Sequence, residues 1–95
     1  TPDEIVGRYP HQLFGVCGEP AYPLLKFLRT CPGVLRCFSF GSEHHVAAEP
    51  GVLTAGGLQA AVEEAGFRNV SVRDIRPNIE DCFMELAKEN DYGQG

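Results

Sequence analysis

The stretch "GSEHHVAAEPG", residues 41–51, places Glu43, His44 and His45 side by side. Imidazole and carboxylate are the ligand types that zinc takes from histidine and acidic residues, so this is the candidate metal site. Zinc usually needs three or four such ligands, and adjacent residues of a strand point to opposite faces. His44 and His45 therefore cannot share one ion unless the turn is irregular, and they are expected to be solvated turn histidines. A second concentration of chemistry is Glu80-Asp81, a carboxylate pair inside "IRPNIEDCFMELAKEN", residues 75–90. As general acid and base the two would need a cleft and shifted pKa values, which a sequence does not display. A third is the thiol Cys17 in "GVCGEP", with His11 as its nearest histidine in sequence and no third group to orient the pair. No residue is assigned a catalytic or cofactor-binding role. Lys26 and Lys88 lack the glycine-rich loop of a G-x-x-x-x-G-K-S/T phosphate cradle.

The carboxylate pair already has a structural use. Pro77 disfavours helical torsions at Arg76, Asn78 is a good N-cap, and Asp81 three residues on supplies the acidic half of a capping box. Glu80 and Asp81 lie in the first turn, where the helix dipole favours anions by about 0.3–1 kcal/mol each. Ile79, Cys82, Phe83, Leu86 and Ala87 follow helical spacing and form one apolar stripe.

The remaining elements read off in order. "TPDEIVG" (1–7) is a short capped turn, and "HQLFGVCG" (11–18) a glycine-bounded strand. "PAYPLLKFLRTCPG" (20–33) is a helix with Leu24, Leu25, Leu28 and Cys31 as its stripe. Pro23 is tolerated in its first turn, and Cys31-Pro32-Gly33 stops it. "VLRCFSF" (34–40) and "HVAAE" (45–49) form a hairpin around the tight turn "GSEH", the second strand weak in propensity because of its alanines. A second helix follows Thr54, with Leu58, Ala61, Val62 and Ala65 inward, Glu63 and Glu64 solvated, and Gly66 as its stop. "NVSVRDI" (69–75) alternates with Val70 and Val72 buried. The order β-α-β-β-α-β predicts an α+β, ferredoxin-like (split βαβ) sandwich, a four-stranded antiparallel sheet with two helices on one face, closed by a C-terminal helix.

At 95 residues the chain makes one domain, burying roughly 60–65% of the surface its unfolded form exposes. A net charge of −5 and eight scattered Lys and Arg argue against nucleic acid, which needs clustered cations. No stretch reaches the ~18 apolar residues of a membrane span. Cys17, Cys31, Cys37 and Cys82 form no C-x-x-C pair and fall within apolar patterns, so four buried free thiols in a reducing compartment are expected. Phe14, Phe38, Phe40, Phe67 and Phe83 are expected in the core. Arg36, Arg73 and Arg76 would make a modest cationic patch if strand neighbours align them.

Three stretches resemble parts of one known family. "TPDEIV" resembles the G-x-P-E-E-L/I segment that follows the last strand of the ATPase domain in ATP-binding-cassette (ABC) transporter subunits. "CPGVLRCFSFGSEHHVAAE" is similar to the hairpin and glycine turn in the middle of the accessory domain found after that ATPase. "VRDIRPNIEDCFMELA" is similar to its ending, Pro-x-Leu-Glu-Asp-x-Phe-x-x-Leu, here Pro77, Ile79, Glu80, Asp81, Phe83 and Leu86, with Ile79 in place of the usual leucine. The resemblance implies a non-catalytic C-terminal regulatory domain of an exporter-like ABC ATP-binding subunit, cytoplasmic at the inner face of the cell membrane. Residues 1–10 are then a linker from an upstream ATPase domain, 11–90 the accessory domain, and 91–95 a flexible tail. ATP and Mg would belong to that ATPase domain, and this segment would hold no cofactor. Its partners would be its own ATPase domain, the dimer mate and, indirectly, a membrane permease. The motif residues are then a possible interface. The rival reading is a stand-alone small-ligand or metal sensor, which rests on fold analogy.

Overall fold

A computed structural model describes residues 11–83. The expected linker 1–10, the tail 91–95, and the stripe residues Leu86 and Ala87 lie outside the described residues. The chain divides into two units, one spanning His11–Ile75 and the other including Arg76 onward. Each is described by itself.

The first unit runs β1 (Gln12–Glu19), α1 (Ala21–Thr30), β2 (Val34–Phe40), β3 (Glu43–Ala48), α2 (Ala55–Glu64) and β4 (Arg68–Ile75). Every strand pairing is antiparallel and the sheet order is β2-β3-β1-β4. This is the β-α-β-β-α-β, ferredoxin-like topology expected from the sequence. Phe14 and Val16 of β1, Cys37 of β2, and Val46 and Ala48 of β3 share one core with Leu24, Leu25 and Leu28 of α1 and Leu58 and Val62 of α2. Residues two apart on a strand share a face, so both helices cover the same side of the sheet.

The helices begin and end where local chemistry dictates. In α1, Pro23 sits in the first turn, and the Leu24 N–H reaches back to the Pro20 carbonyl at 3.2 Å. The helix stops at Cys31, which caps it and does not extend the stripe as expected. Gly33 then adopts φ +90°, a left-handed conformation costly for residues with a Cβ. In α2 the Gly57 N–H donates to Thr54 Oγ1 at 3.0 Å, the expected N-cap. Its end is a Schellman motif, in which the Phe67 N–H bonds the Val62 carbonyl and the Gly66 N–H the Glu63 carbonyl. Phe67 is thereby turned back to stack against Phe27, ring centroids 5.5 Å apart. The α2 stripe is narrower than expected, with Leu58 and Val62 buried, Ala61 half-buried and Ala65 exposed at the cap.

The hairpin departs from expectation at its turn. Only Gly41 and Ser42 connect the strands, so β3 starts at Glu43, two residues early. Gly41, at φ +68°, occupies the first central position, where a two-residue type II′ turn requires a positive φ. The alanines of β3 do not weaken it, because it is a central strand whose Val46, Ala47 and Ala48 are all buried. Burial is not limited to the helix side: Leu13 and Ala47, on the opposite face of the sheet, are also buried.

In the second unit, residues 79–83 are helical. The Asn78 N–H donates to Asp81 Oδ2 at 2.9 Å and the Asp81 N–H donates to Asn78 Oδ1 at 2.7 Å. This is the reciprocal capping box expected from "PNIED".

Candidate functional site

Glu43, His44 and His45 are not turn residues but lie within β3, and both histidines are buried. The expectation of solvated histidines fails because the two-residue turn places them in the ladder. As successive strand residues they face opposite ways. His44 joins the helix side, beside Val16 and Ser39 in register, and is only 2% exposed. Its Nε2 lies 2.9 Å from the Ala21 carbonyl. A carbonyl only accepts, so Nε2 carries a proton and donates it. Among the described residues the buried Nδ1 has no hydrogen-bond partner. His44 thus ties the first turn of α1 to the sheet.

His45 points to the other face. Its ring lies on Phe40, centroids 4.4 Å apart at 36°, and its Nε2 is 3.5 Å from Glu43 Oε1. Glu43 is engaged more closely elsewhere. Arg73 Nε donates to Glu43 Oε2 at 3.0 Å and Nη2 donates to Oε1 at 3.1 Å, a bidentate pair. The two residues belong to β3 and β4, with β1 between them. The Glu43 carboxylate crosses β1 directly above Gly15, so closely that a Cβ there would collide with Oε2. Gly15 stands opposite both His45 and Arg73 in register. The result is a line of contacts across all four strands, Phe40–His45–Glu43–Arg73, passing over Gly15 of β1. Among the described residues no three His, Cys, Asp or Glu side chains converge as a metal group would require.

The other sequence candidates are dispersed. Cys17 is half-buried opposite Ser71, and His11 just precedes the same strand. Six extended residues separate the two by about 20 Å, so they form no nucleophile–base pair. All four thiols are free, but only Cys37 and Cys82 are buried, not four. Burial pushes the Cys37 thiol up to about 12, the Arg29 guanidinium partly opposing and Cys31 adding to it. Burial also raises Cys31, and it raises Cys82 with help from the Asp81 carboxylate. A raised pKa withholds the thiolate, the nucleophilic form. The cationic patch does not assemble. Arg36 and Arg73 lie on opposite edge strands, three strand spacings or about 14 Å apart, and Arg73 is paired with Glu43. Arg76 belongs to the second unit.

Along the closing motif the expected stripe is rotated. Asp81 and Cys82 are buried, Pro77 and Ile79 half-buried, and Glu80 exposed. Phe83, expected in the core, is 57% exposed. The Asp81 side chain is drawn back to the Asn78 N–H, and Phe83 follows two residues later, about 200° around the helix. Two participants escape the sequence reading. Arg73 is expected there only as part of a cationic patch with Arg36 and Arg76, not as a partner of Glu43, and Gly15 is not singled out, although a glycine inside an apolar strand is a sign of close approach.

The class of protein defined so far is a ferredoxin-like α+β domain with a capped C-terminal helix. Compared with family models, with curated proteins and with solved structures, the chain gives no match in any of the three. No described helix is long and apolar enough to cross a membrane.

Proposed function

We propose that this chain is a non-catalytic regulatory or interaction domain that follows the ATPase domain of an exporter-like ABC transporter ATP-binding subunit. The observation that supports the reading is the division of labour within Pro77-Asn78-Ile79-Glu80-Asp81-Cys82-Phe83. Asp81 is bound into the helix cap, whereas Glu80 and Phe83 are exposed. An exposed aromatic beside an exposed carboxylate suits the anchor and rim of a protein contact, since aromatic residues are enriched in interface cores. On this reading ATP and Mg are held by the upstream ATPase domain. Its partners are that domain and the dimer mate, with the permease reached through them, at the cytoplasmic face of the membrane.

Sequencing the native reading frame upstream of Thr1 is the direct test. The reading requires a glycine-rich phosphate loop and a signature segment there; an initiator codon immediately before Thr1 overturns it. In such a parent, Phe83→Ala with Glu80→Ala should alter ATP turnover or subunit assembly while leaving the melting of this domain unchanged. Unaltered turnover, assembly and transport after deletion of the whole domain would remove the regulatory role.

A further inference from the structure

The outer edge of β2, one of the two edge strands of the sheet, has the composition to take an added strand. β2 ends the sheet, and no strand lies beyond it among the described residues. Phe40 and Glu43 close a two-residue turn, which makes them a doubly hydrogen-bonded pair. Such pairs alternate along an antiparallel ladder, so Phe38–His45 is the next one. Cys37 and Ser39 fall at the intervening positions, with their N–H and C=O groups directed away from β3. The segment "VLRCFSF" is β-branched and aromatic, has a single charge and contains no proline. Leu35, where the register shifts, is 42% exposed. An edge of this composition is a template for pairing unless something blocks it.

Arg29 is placed to block it. From the last turn of α1 its Nε donates to the outward Cys37 carbonyl at 3.0 Å. This takes the acceptor at the centre of the edge and sets a guanidinium where an incoming backbone would run. We propose that Arg29 closes the β2 edge against strand addition, and that the partner it holds off is a second copy of this chain. The charge pattern of β2 favours that occupant. Antiparallel self-pairing about Cys37 sets Arg36 opposite Phe38, Leu35 opposite Ser39 and Val34 opposite Phe40. No like charges meet, and the two guanidinium groups face aromatic rings. Such an arrangement is two-fold symmetric, with the same strand on both sides of the interface.

Equilibrium sedimentation of the 95-residue chain tests this. The unmodified chain should be a monomer of 10.4 kDa. Arg29→Ala should move the mass toward twice that value as concentration rises, with the circular dichroism of the folded domain retained. Should Arg29→Ala loosen α1, Arg29→Met keeps the aliphatic stem and should give the same shift. Adding Ser39→Pro, which removes an outward N–H, should return Arg29→Ala to the monomer, and so should Leu35→Lys. A folded Arg29→Ala or Arg29→Met that stays monomeric overturns the proposal. So does an unmodified chain that already dimerises to the same extent, or a dimer that survives both blocking substitutions.

Discussion

Gly15 and Glu43 should be energetically coupled strongly enough to reverse the sign of one substitution. Alone, Gly15→Ala would normally help a central strand, since glycine there is worth roughly 0.5–1 kcal/mol less than alanine. Its φ is not in the left-handed region, so the backbone accepts a Cβ. The obstacle is the Glu43 carboxylate lying on the glycine. Displacing it breaks the bidentate contact with Arg73. That pair is limited in value by the exposure of its Arg73 side, 67% against 21% for Glu43, so about 1 kcal/mol is a fair upper figure for the ion pair itself. A half-buried carboxylate separated from its donors adds a further ~1 kcal/mol or more. The two losses together exceed the gain, and Gly15→Ala should destabilise the domain by about 1–2 kcal/mol, or roughly 5–15 °C in melting temperature for a domain of this size.

In a Glu43→Ala background nothing remains to collide with, and the same substitution should stabilise by about 0.5–1 kcal/mol. Thermal and urea melts of the four proteins of the cycle give the coupling directly, expected near 2 kcal/mol in total. The result that refutes the reasoning is additivity within about 0.5 kcal/mol. Equal effects of Gly15→Ala in both backgrounds would mean that the carboxylate does not rest on the glycine.

Two further outcomes follow from the caps and the thiols. Asn78→Ala removes one side of the box with Asp81 and should cost about 1 kcal/mol of local helix stability, seen as faster amide exchange at 79–81. Unchanged exchange there would mean that the box does not hold the helix start. For Cys37, the folded thiol is raised to about 12 from an ordinary 9.0. The unfolded state therefore releases its proton first, and stability falls as pH rises between those values, by up to ~1.4 kcal/mol per pH unit from this group. Below the ordinary thiol pKa the contribution is constant. The slope in urea melts above pH 9 should be shallower in Cys37→Val, and an identical slope would show that the thiol titrates alike in the folded and unfolded chain.

What the sequence revealed depended on how local the determinants are. Thr54, Gly66 and the Asn78/Asp81 spacing each act within five residues, and each element boundary they mark lies where expected. The start of β3 was misjudged by two residues, because "GSEH" contains enough polar residues for a longer loop, while Gly41 alone suffices for the turn. That small error moved both histidines from solvent to interior. Phe83 was misplaced for a different reason: Cys82 and Ile79 of the same stripe do turn inward, but helical spacing does not fix how far around the helix the buried face extends. Glu43 and Arg73 are thirty residues apart, and only the strand order β3-β1-β4 brings them together. Arg29 reaching the Cys37 carbonyl depends likewise on how α1 lies over the sheet edge, which periodicity does not record.

The polar residues that first attracted a chemical reading turn out to hold the backbone and one another. His44 binds the Ala21 carbonyl, Asp81 the Asn78 N–H, and Glu43 the Arg73 guanidinium. A domain of this size has reason for such use. Its core is small, so polar groups that enter the interior or half-enter it must find partners at once or forfeit about 1–3 kcal/mol each. Side chains engaged in that way are poor recognition elements, because an incoming partner would have to break the contact before making its own. Recognition is better served by residues on which the described fold makes little demand: Glu80 and Phe83 at the closing motif, Tyr22 on α1, Leu35 on the β2 edge and Val52 beyond β3, all of them exposed. Substitutions at those five positions should separate partner binding from folding, whereas substitutions at His44, Asp81 or Glu43 would confound the two.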